Sequence, residues 1–256
     1  MILVLGGTSD ARAAARTLKE AGQEVQITAV TEYGAPMGLS DVDILEGQLD
    51  ASRLSELLTG AHALVDATHP FATRTSRLAI QVCAEKGIPY IRYERPWTPL
   101  PPMADVVMAS GVEKGAVYAV ELAEGGTIYA TIGSEGLGTF YAATRAAGCR
   151  TFVRVLPESG TLAECERIGI KPWDLLALQG PTSIALETEL LRRVDARVIV
   201  TREDGAGGAI LDKLKAARSL GIPVIVVSRP RMEYPRLAGN QMDLIAVVNE
   251  VAPLSD

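Results

Sequence analysis

Residues 2–22 read ILVLGGTSDARAAARTLKEAG, and this stretch decides the fold. Its four leading apolar residues, Ile2 to Leu5, indicate a short buried strand that stops at a pair of glycines. A helix is predicted from about Asp10 to Ala21, because small and apolar residues recur there at helical spacing, and Gly22 suits a helix end. A strand followed closely by such a helix is the unit from which parallel α/β sheets are built.

The same alternation of strands and helices continues on both sides of a proline-rich segment. Residues 96–102 read PWTPLPP, and proline stiffens an extended chain, so this segment indicates a linker or crossover. We therefore predict an α/β protein of two Rossmann-like lobes, residues 1–97 and 98–256, with parallel sheets flanked by helices and a cleft between the lobes. A terminal helix, predicted over residues 243–251, is able to pack back on the first lobe.

A repeat of short sequence motifs supports the prediction of two similar lobes. The tripeptide Gly87-Ile88-Pro89 recurs as Gly221-Ile222-Pro223, and each copy is followed by an apolar strand and an Arg-Pro pair. Both the tripeptide and the Arg-Pro pair are displaced by the same 134 residues. Gly-Ile-Pro alone is an ordinary helix-to-strand connector, but two elements at one fixed displacement favour duplication or convergent architecture over chance.

Composition excludes several classes of protein. The chain has 256 residues, 48% of them hydrophobic and 22% charged, which excludes a disordered chain. A net charge of −6 argues against nucleic-acid binding, and apolar runs are too short for a membrane span. No export signal is visible at the N-terminus, and the cysteines and histidines have no metal-ligand spacing. These features predict a soluble cytoplasmic protein without a metal site.

Ligands of parallel α/β sheets bind beyond the carboxyl ends of the strands, so the loops there are the candidate sites. The first such loop is Gly6-Gly7-Thr8-Ser9. Its glycines allow a phosphate to approach the backbone, and free N–H groups at a helix start favour anions. The full G-x-G-x-x-G pattern is missing, so an ordinary tight turn is the alternative.

Two further loops qualify. After a buried strand comes Thr68-His69-Pro70, where His69 could contact a phosphate or carboxylate, act as an acid or base, or simply bond to the backbone. The other loop runs from Thr201 to Gly208 and combines the fixed charge of Arg202 with Gly205, Gly207 and Gly208. A plain flexible surface loop is the alternative interpretation here.

The loop after the second strand bears on cofactor choice. If a dinucleotide binds, this loop meets the adenosine ribose, and Glu32 follows the strand while Lys and Arg are missing between Gln23 and Gly47. An acidic group suits the free ribose hydroxyls of NAD, whereas a 2′-phosphate usually needs Arg. The sequence thus favours NADH over NADPH, although Thr31 and Tyr33 could serve a phosphate by hydrogen bonds.

Taken together and in order, four segments resemble the precorrin-6A reductases of cobalamin biosynthesis. They are Gly6-Gly7-Thr8-Ser9, the run Asp66-Ala-Thr-His-Pro-Phe-Ala72, Arg92-Tyr-Glu-Arg-Pro96 and the glycine-rich loop at 205–208. The resemblance spans nearly the whole chain and implies a two-lobed enzyme that transfers a hydride from a reduced nicotinamide to the macrocycle, giving precorrin-6B. Residues 31–34 resemble the anaerobic, cobalt-precorrin branch, which fits NADH.

Three positions depart from the family pattern. Asp10 stands where the family often has Glu, and Arg202 where it often has Lys. Gly180-Pro181-Thr182 resembles a Gly-Pro-Phe element that has lost its aromatic residue. These changes leave the predicted fold intact and bear on which residues of the second lobe contact the macrocycle.

The resemblance implies two sets of site residues. Those expected at the nicotinamide cofactor, NADH or NADPH, are Gly6, Gly7, Thr8, Ser9, Glu32, Thr68, His69 and Pro70. Those expected to line the cleft and meet the tetrapyrrole substrate or remaining phosphates are Arg92, Ser134, Arg202, Gly205, Gly207 and Gly208. No side chain has to be a covalent catalyst, water is able to supply the proton, and His69 is the candidate acid or base. The oligomeric state is left open.

Two other functions compete with this one. A uroporphyrinogen-III synthase-like enzyme is also two-lobed and acts on a related polycarboxylate without a nucleotide, so it has no need of the Gly-Gly-Thr-Ser turn. A non-enzymatic, two-lobed ligand-binding protein would also explain paired loops. Binding of a nicotinamide cofactor separates both from the reductase.

Overall fold

The computed structural model describes residues 1–29, 43–46, 49–100, 105–206 and 209–253. Internal contacts divide the chain into two compact units. Unit 1 comprises Met1–Pro96 together with the chain from Arg231 onward, and unit 2 comprises Trp97–Pro230. In each unit, six described strands form a parallel sheet flanked by helices, so the predicted fold class is confirmed.

Unit 1 contains the fold-deciding strand at the centre of its sheet. Its strands are β1 (Ile2–Leu5), β2 (Val25–Ala29), β3 (Asp43–Glu46), β4 (Ala63–Asp66), β5 (Tyr90–Tyr93) and β12 (Leu237–Ala238). Its helices are α1 (Ser9–Glu20), α2 (Ala51–Leu57), α3 (Thr73–Lys86) and α9 (Gln241–Val251). The strand order is β12-β5-β4-β1-β2-β3.

The continuous apolar run of β1 follows from burial on both faces. Ile2 and Val4 pack on the side of α1 and α9, whereas Leu3 and Leu5 pack on the side of α2 and α3. All four side chains are fully buried. Side chains alternate along a strand, so a parallel strand covered by helices on both faces needs apolar residues at every position.

Unit 2 repeats this organisation. Its strands are β6 (Val106–Ala109), β7 (Thr127–Thr131), β8 (Arg150–Val155), β9 (Leu175–Ala177), β10 (Ala196–Arg202) and β11 (Val224–Val227). Its helices are α4 (Val112–Ala123), α5 (Leu137–Ala146), α6 (Ser159–Ile168), α7 (Ile184–Arg193) and α8 (Ile210–Ser219), with a single 3₁₀ turn at Pro172–Asp174. The strand order is β6-β11-β10-β7-β8-β9.

The two strand orders are the same when β1, β4 and β5 are matched with β7, β10 and β11. The strands that follow the repeated Gly-Ile-Pro tripeptides, β5 and β11, therefore occupy equivalent places. Only the outermost strand beside them differs in origin. It comes from the end of the chain in unit 1 and from the segment after the prolines in unit 2.

The chain from Arg231 onward, which the sequence analysis placed in the second lobe, belongs to unit 1. Strand β12 pairs with β5, Leu237 with Arg92 and Ala238 with Tyr93. The buried amide of Gln23 donates to the Ala252 carbonyl at 3.2 Å, just beyond α9. Among the described residues, no helix is both long and apolar enough to span a membrane.

Candidate functional site

The loop after β1 is locked to the loop after β4 in unit 1. Gly6 has φ +125°, and a Cβ there would lie 3.0 Å from the Ala67 carbonyl oxygen and 3.1 Å from the Thr68 nitrogen. The Thr8 hydroxyl donates to the Ala67 carbonyl at 2.9 Å and accepts from the Ala11 N–H at 3.1 Å. Glycine at position 6 therefore permits the close approach, and Thr8 caps α1 while joining the two loops.

The start of α1 is electrostatically suited to an anion. The helix begins at Ser9, and the N–H groups of its first turn carry partial positive charge. Asp10 in this turn would oppose an anion, but the Arg95 Nε lies 2.9 Å from its carboxylate and balances it. The Arg12 guanidinium lies 3.5 Å from the Gly7 carbonyl oxygen and adds positive charge beside the turn. A pyrophosphate fits this chemistry.

In the loop after β4, the donors of Thr68 point inward. Its N–H and its hydroxyl both donate to Asp66 Oδ1, at 3.0 and 2.6 Å. His69 is exposed, and its Nδ1 accepts from the Phe71 N–H at 3.3 Å. A neutral ring that accepts at Nδ1 carries its proton on Nε2. Of the three residues predicted here, His69 and the half-buried Pro70 thus have exposed surface for a ligand, whereas both donors of Thr68 are hydrogen-bonded to Asp66.

Arg92 was expected to face the cleft, and the structure places it elsewhere. It has no exposed surface and forms ion pairs with Asp66 Oδ1 at 3.0 Å and with Glu94 Oε2 at 2.7 Å. Burial opposes its charge while the two carboxylates favour it, and the balance raises its pKa. A guanidinium enclosed in this way is a support for the loop and cannot reach a ligand without leaving its partners.

Three predicted site residues lie outside the described residues. They are Glu32, in the loop that would meet the adenosine ribose, and Gly207 and Gly208 of the glycine-rich loop.

In unit 2, Ser134 in the loop after β7 and Arg202 at the end of β10 lie at the same edge of the sheet. Strands β7 and β10 are neighbours, and Arg202 Nη2 donates to the Glu135 carbonyl oxygen, directly beside the exposed Ser134. Gly133, with φ +70°, admits this contact, since a Cβ there would lie 3.2 Å from Arg202 Nη1. Burial lowers the pKa of Arg202 to about 10, and Glu135 partly opposes that shift.

Gly205 is buried, and its N–H donates to Glu203 Oε1 at 3.0 Å. Glu203 also accepts from the Thr98 N–H at 2.8 Å and pairs with the buried Arg229, whose guanidinium lies 5.2 Å from the ring centre of Trp97. The sequence analysis did not foresee this network, although the repeated Arg-Pro pair contains Arg229. It ties the predicted linker to the glycine-rich loop within unit 2.

A second unforeseen group is the buried amine of Lys213, which donates to the Thr201 hydroxyl at 3.0 Å. Burial, with the nearby positive charge of Arg154, lowers the pKa of Lys213 to about 8. Helical spacing assigns Lys213 to α8 but does not reveal that it points inward, so the sequence contains no clear signal for this group.

Comparison with known proteins shows to which family the chain belongs. Residues 1–249 match the family described as Precorrin-6x reductase CbiJ/CobK. The chain belongs to this family. It is 34% identical to the cobalt-precorrin-6A reductase of Priestia megaterium, over 98% of this chain and 99% of that protein. It is 32% identical to the precorrin-6A reductase of Rhodobacter capsulatus, over 90% of this chain and 88% of that one.

A solved structure agrees with the sequence comparison. The structure titled CobK precorrin-6A reductase superposes with a TM-score of 0.77 at 27% identity, covering 98% of this chain and 96% of that one. The predicted membership of the precorrin-6A reductase family is thus confirmed, and with it an oxidoreductase of cobalamin biosynthesis. The synthase-like and non-enzymatic alternatives are not favoured.

Proposed function

We propose that this family member reduces precorrin-6A, with or without cobalt, by hydride transfer from a nicotinamide cofactor bound at the carboxyl edge of the unit 1 sheet. The observation that carries the proposal is the turn at Gly6, where the Thr8-capped start of α1 offers backbone N–H groups that would bind an anion and Arg95 balances Asp10. The family match and the titles of its relatives support the reaction class.

The residues of unit 1 would bind and orient the cofactor. Gly6 shapes the turn, while the backbone N–H groups of Gly7, Thr8 and Ser9 would hold the pyrophosphate and Arg12 would add charge. His69 and Pro70 offer the exposed surface of the neighbouring loop. The cofactor supplies the hydride, and the protein contributes orientation and electrostatics. Water remains our candidate for the proton source.

We assign the substrate carboxylates, or remaining phosphates, to the carboxyl edge of the unit 2 sheet. Arg202 and the exposed Ser134 lie together there, and Gly205 follows Arg202 in the next loop, with Gly207 and Gly208 after it in the sequence. The chain carries a net charge of −6, so a substrate rich in carboxylates needs local positive charge, which Arg202 provides.

We further propose NADH as the preferred cofactor. The support is the acidic Glu32 after β2, since a carboxylate suits the free ribose hydroxyls and repels a 2′-phosphate. We also propose a cytoplasmic location, which fits the three free cysteines, Cys83, Cys149 and Cys165.

The test is direct titration of NADH and NADPH, separately, by cofactor fluorescence or calorimetry. Gly7→Val should abolish binding while circular dichroism shows an intact fold, because added side-chain bulk blocks approach to the turn. The matched control is Gly160→Val in unit 2, where a Cβ meets nothing within 4 Å. Binding of neither cofactor by the wild type would refute the reductase proposal. Tenfold tighter binding of NADPH would refute the NADH preference alone.

A further inference from the structure

The carboxylate of Asp66 lies at the end of β4, fully buried directly beneath the loop that begins at Thr68. Its Oδ1 accepts three hydrogen bonds, from the Thr68 N–H, the Thr68 hydroxyl and Arg92 Nη1. Its Oδ2 accepts a fourth, from the Tyr90 hydroxyl at 2.6 Å. Two of these four bonds come from Thr68, so the carboxylate fixes the conformation of the chain just beyond the end of the strand.

The rest of the network holds this carboxylate in place. Arg92 Nε donates to Glu94 at 2.8 Å, and Arg92 Nη1 lies 3.3 Å from the Thr68 hydroxyl oxygen. The Arg92 guanidinium lies 5.5 Å from the ring centre of Tyr234, which also stacks on Tyr90. Strand β4, strand β5 and the segment before β12 thus all contribute to one buried ionic cluster around Asp66.

Such a cluster is a poor device for stability alone. Taking a guanidinium and carboxylates out of water costs free energy that their attraction often fails to exceed, and apolar replacements are frequently neutral or stabilising. In some proteins such a group instead specifies one conformation of the chain around it. Here the group that it specifies is the backbone and side chain of Thr68, one residue before the exposed His69.

We propose that Asp66 and the Thr68 hydroxyl are positioning residues, which set the loop of Thr68, His69 and Pro70 in its cofactor-binding conformation without contacting the cofactor themselves. This inference rests on the proposed function. It changes the role expected of Thr68, because a hydroxyl that donates to Asp66 does not donate to a phosphate.

The decisive variant is Thr68→Val, which keeps the branched shape and removes the hydroxyl while the pair between Asp66 and Arg92 stays intact. It should raise the Kd of the cofactor that the wild type binds by about tenfold, as expected for a lost hydrogen bond to a charged group. At saturating cofactor, kcat should stay within twofold of wild type. Thr68→Ser restores the hydroxyl and should recover most of the affinity.

The matched control is Thr59→Val, at an exposed threonine of the same unit whose hydroxyl donates to the Ser55 carbonyl at 3.4 Å. An unchanged Kd for Thr68→Val, or an equal loss for Thr68→Ser, would overturn the inference. So would a lower kcat at an unchanged Kd, which would place Thr68 in the chemistry.

A second background separates positioning from direct contact. On Asp66→Asn, the loss caused by Thr68→Val should shrink, because a neutral amide accepts the hydroxyl more weakly than a carboxylate. Equal losses on both backgrounds would mean that Thr68 acts independently of Asp66. If Asp66→Asn does not fold, the comparison of valine and serine at position 68 still decides. If the wild type binds no cofactor, the proposed function and this inference are both overturned. If the wild type binds a cofactor and the variants at position 68 do not behave as expected, this inference alone is overturned.

Discussion

Replacing Gly6 with alanine should lower the free energy of unfolding more than the same change at a glycine whose only constraint is its positive φ. Gly6 has φ +125°, outside the left-handed helical region that other residues occasionally adopt. Its new Cβ would also lie 3.0 to 3.1 Å from three backbone atoms of Ala67 and Thr68. These atoms belong to the segment that follows a central strand, so they cannot move aside as a flexible side chain would.

The magnitude follows from these two effects. The unfavourable φ costs about 2 kcal/mol. Overpacking against a rigid backbone costs about another 2 kcal/mol. The smaller entropy of the unfolded alanine chain returns about 0.5 kcal/mol. Gly6→Ala should therefore lower the free energy of unfolding by about 3.5 kcal/mol, which a protein of ordinary stability survives.

Gly87→Ala is the matched control in the same unit. Gly87 ends α3 with φ +66°, and a Cβ there meets nothing within 4 Å, so only the left-handed conformation is penalised, by about 1 kcal/mol. Urea denaturation should resolve the difference as a lower midpoint at an unchanged slope. Cofactor titration should also show weaker binding for Gly6→Ala alone. Equal losses of stability in the two variants, or unchanged binding in Gly6→Ala, would refute the reasoning.

Two other perturbations test the polar contacts. Thr8→Ala removes the α1 cap and its bond to Ala67, so urea denaturation should show a free energy of unfolding lower by about 1 to 2 kcal/mol. Thr8→Ser should retain most of the wild-type stability, and equal losses in the two variants would contradict the capping role. The lowered pKa of Lys213 means that the unfolded chain holds this proton more tightly between pH 8 and 10.5, so the contribution of Lys213 to stability should rise with pH across that window, against the opposite contribution of buried groups with raised pKa values such as Cys83. Lys213→Met removes this contribution, so the free energy of unfolding of the variant minus that of the wild type should be larger at pH 7 than at pH 10.5, by on the order of 3 kcal/mol. A difference that does not change with pH would count against this reasoning.

Much of the fold follows from the sequence because the strands are apolar on both faces and the turns carry clear signals. The predictions miss β6, β12 and the helices α4, α5 and α6. All three missed helices begin without a side-chain cap, at Gly111, Gly136 and Glu158. Strand β12 has two residues, too few for any periodic pattern, and exists through its pairing with β5.

The candidate site was less predictable because it depends on burial and register. The turn at Gly6 is local, and the sequence analysis places it correctly between β1 and α1. The pairing of Asp66 with Arg92 joins residues that become neighbours only when β4 and β5 align. A lone arginine in a sequence suggests a surface charge, so its enclosure by two carboxylates is visible only in the structure.

The repeated motifs explain why the arrangement of the strands is easier to predict than the candidate site. The repeated Gly-Ile-Pro tripeptides precede β5 and β11 and therefore lie at the amino ends of equivalent strands, away from the ligand loops. At the carboxyl ends, the register matches Asp66 and Arg92 of unit 1 with Thr201 and Val226 of unit 2. A buried ion pair in one unit thus corresponds to a hydroxyl and an apolar side chain in the other, with the Lys213 amine donating to that hydroxyl. The repeated residues specify how strands enter the sheets, whereas the residues that differ lie beneath the loops to which we assign the ligands.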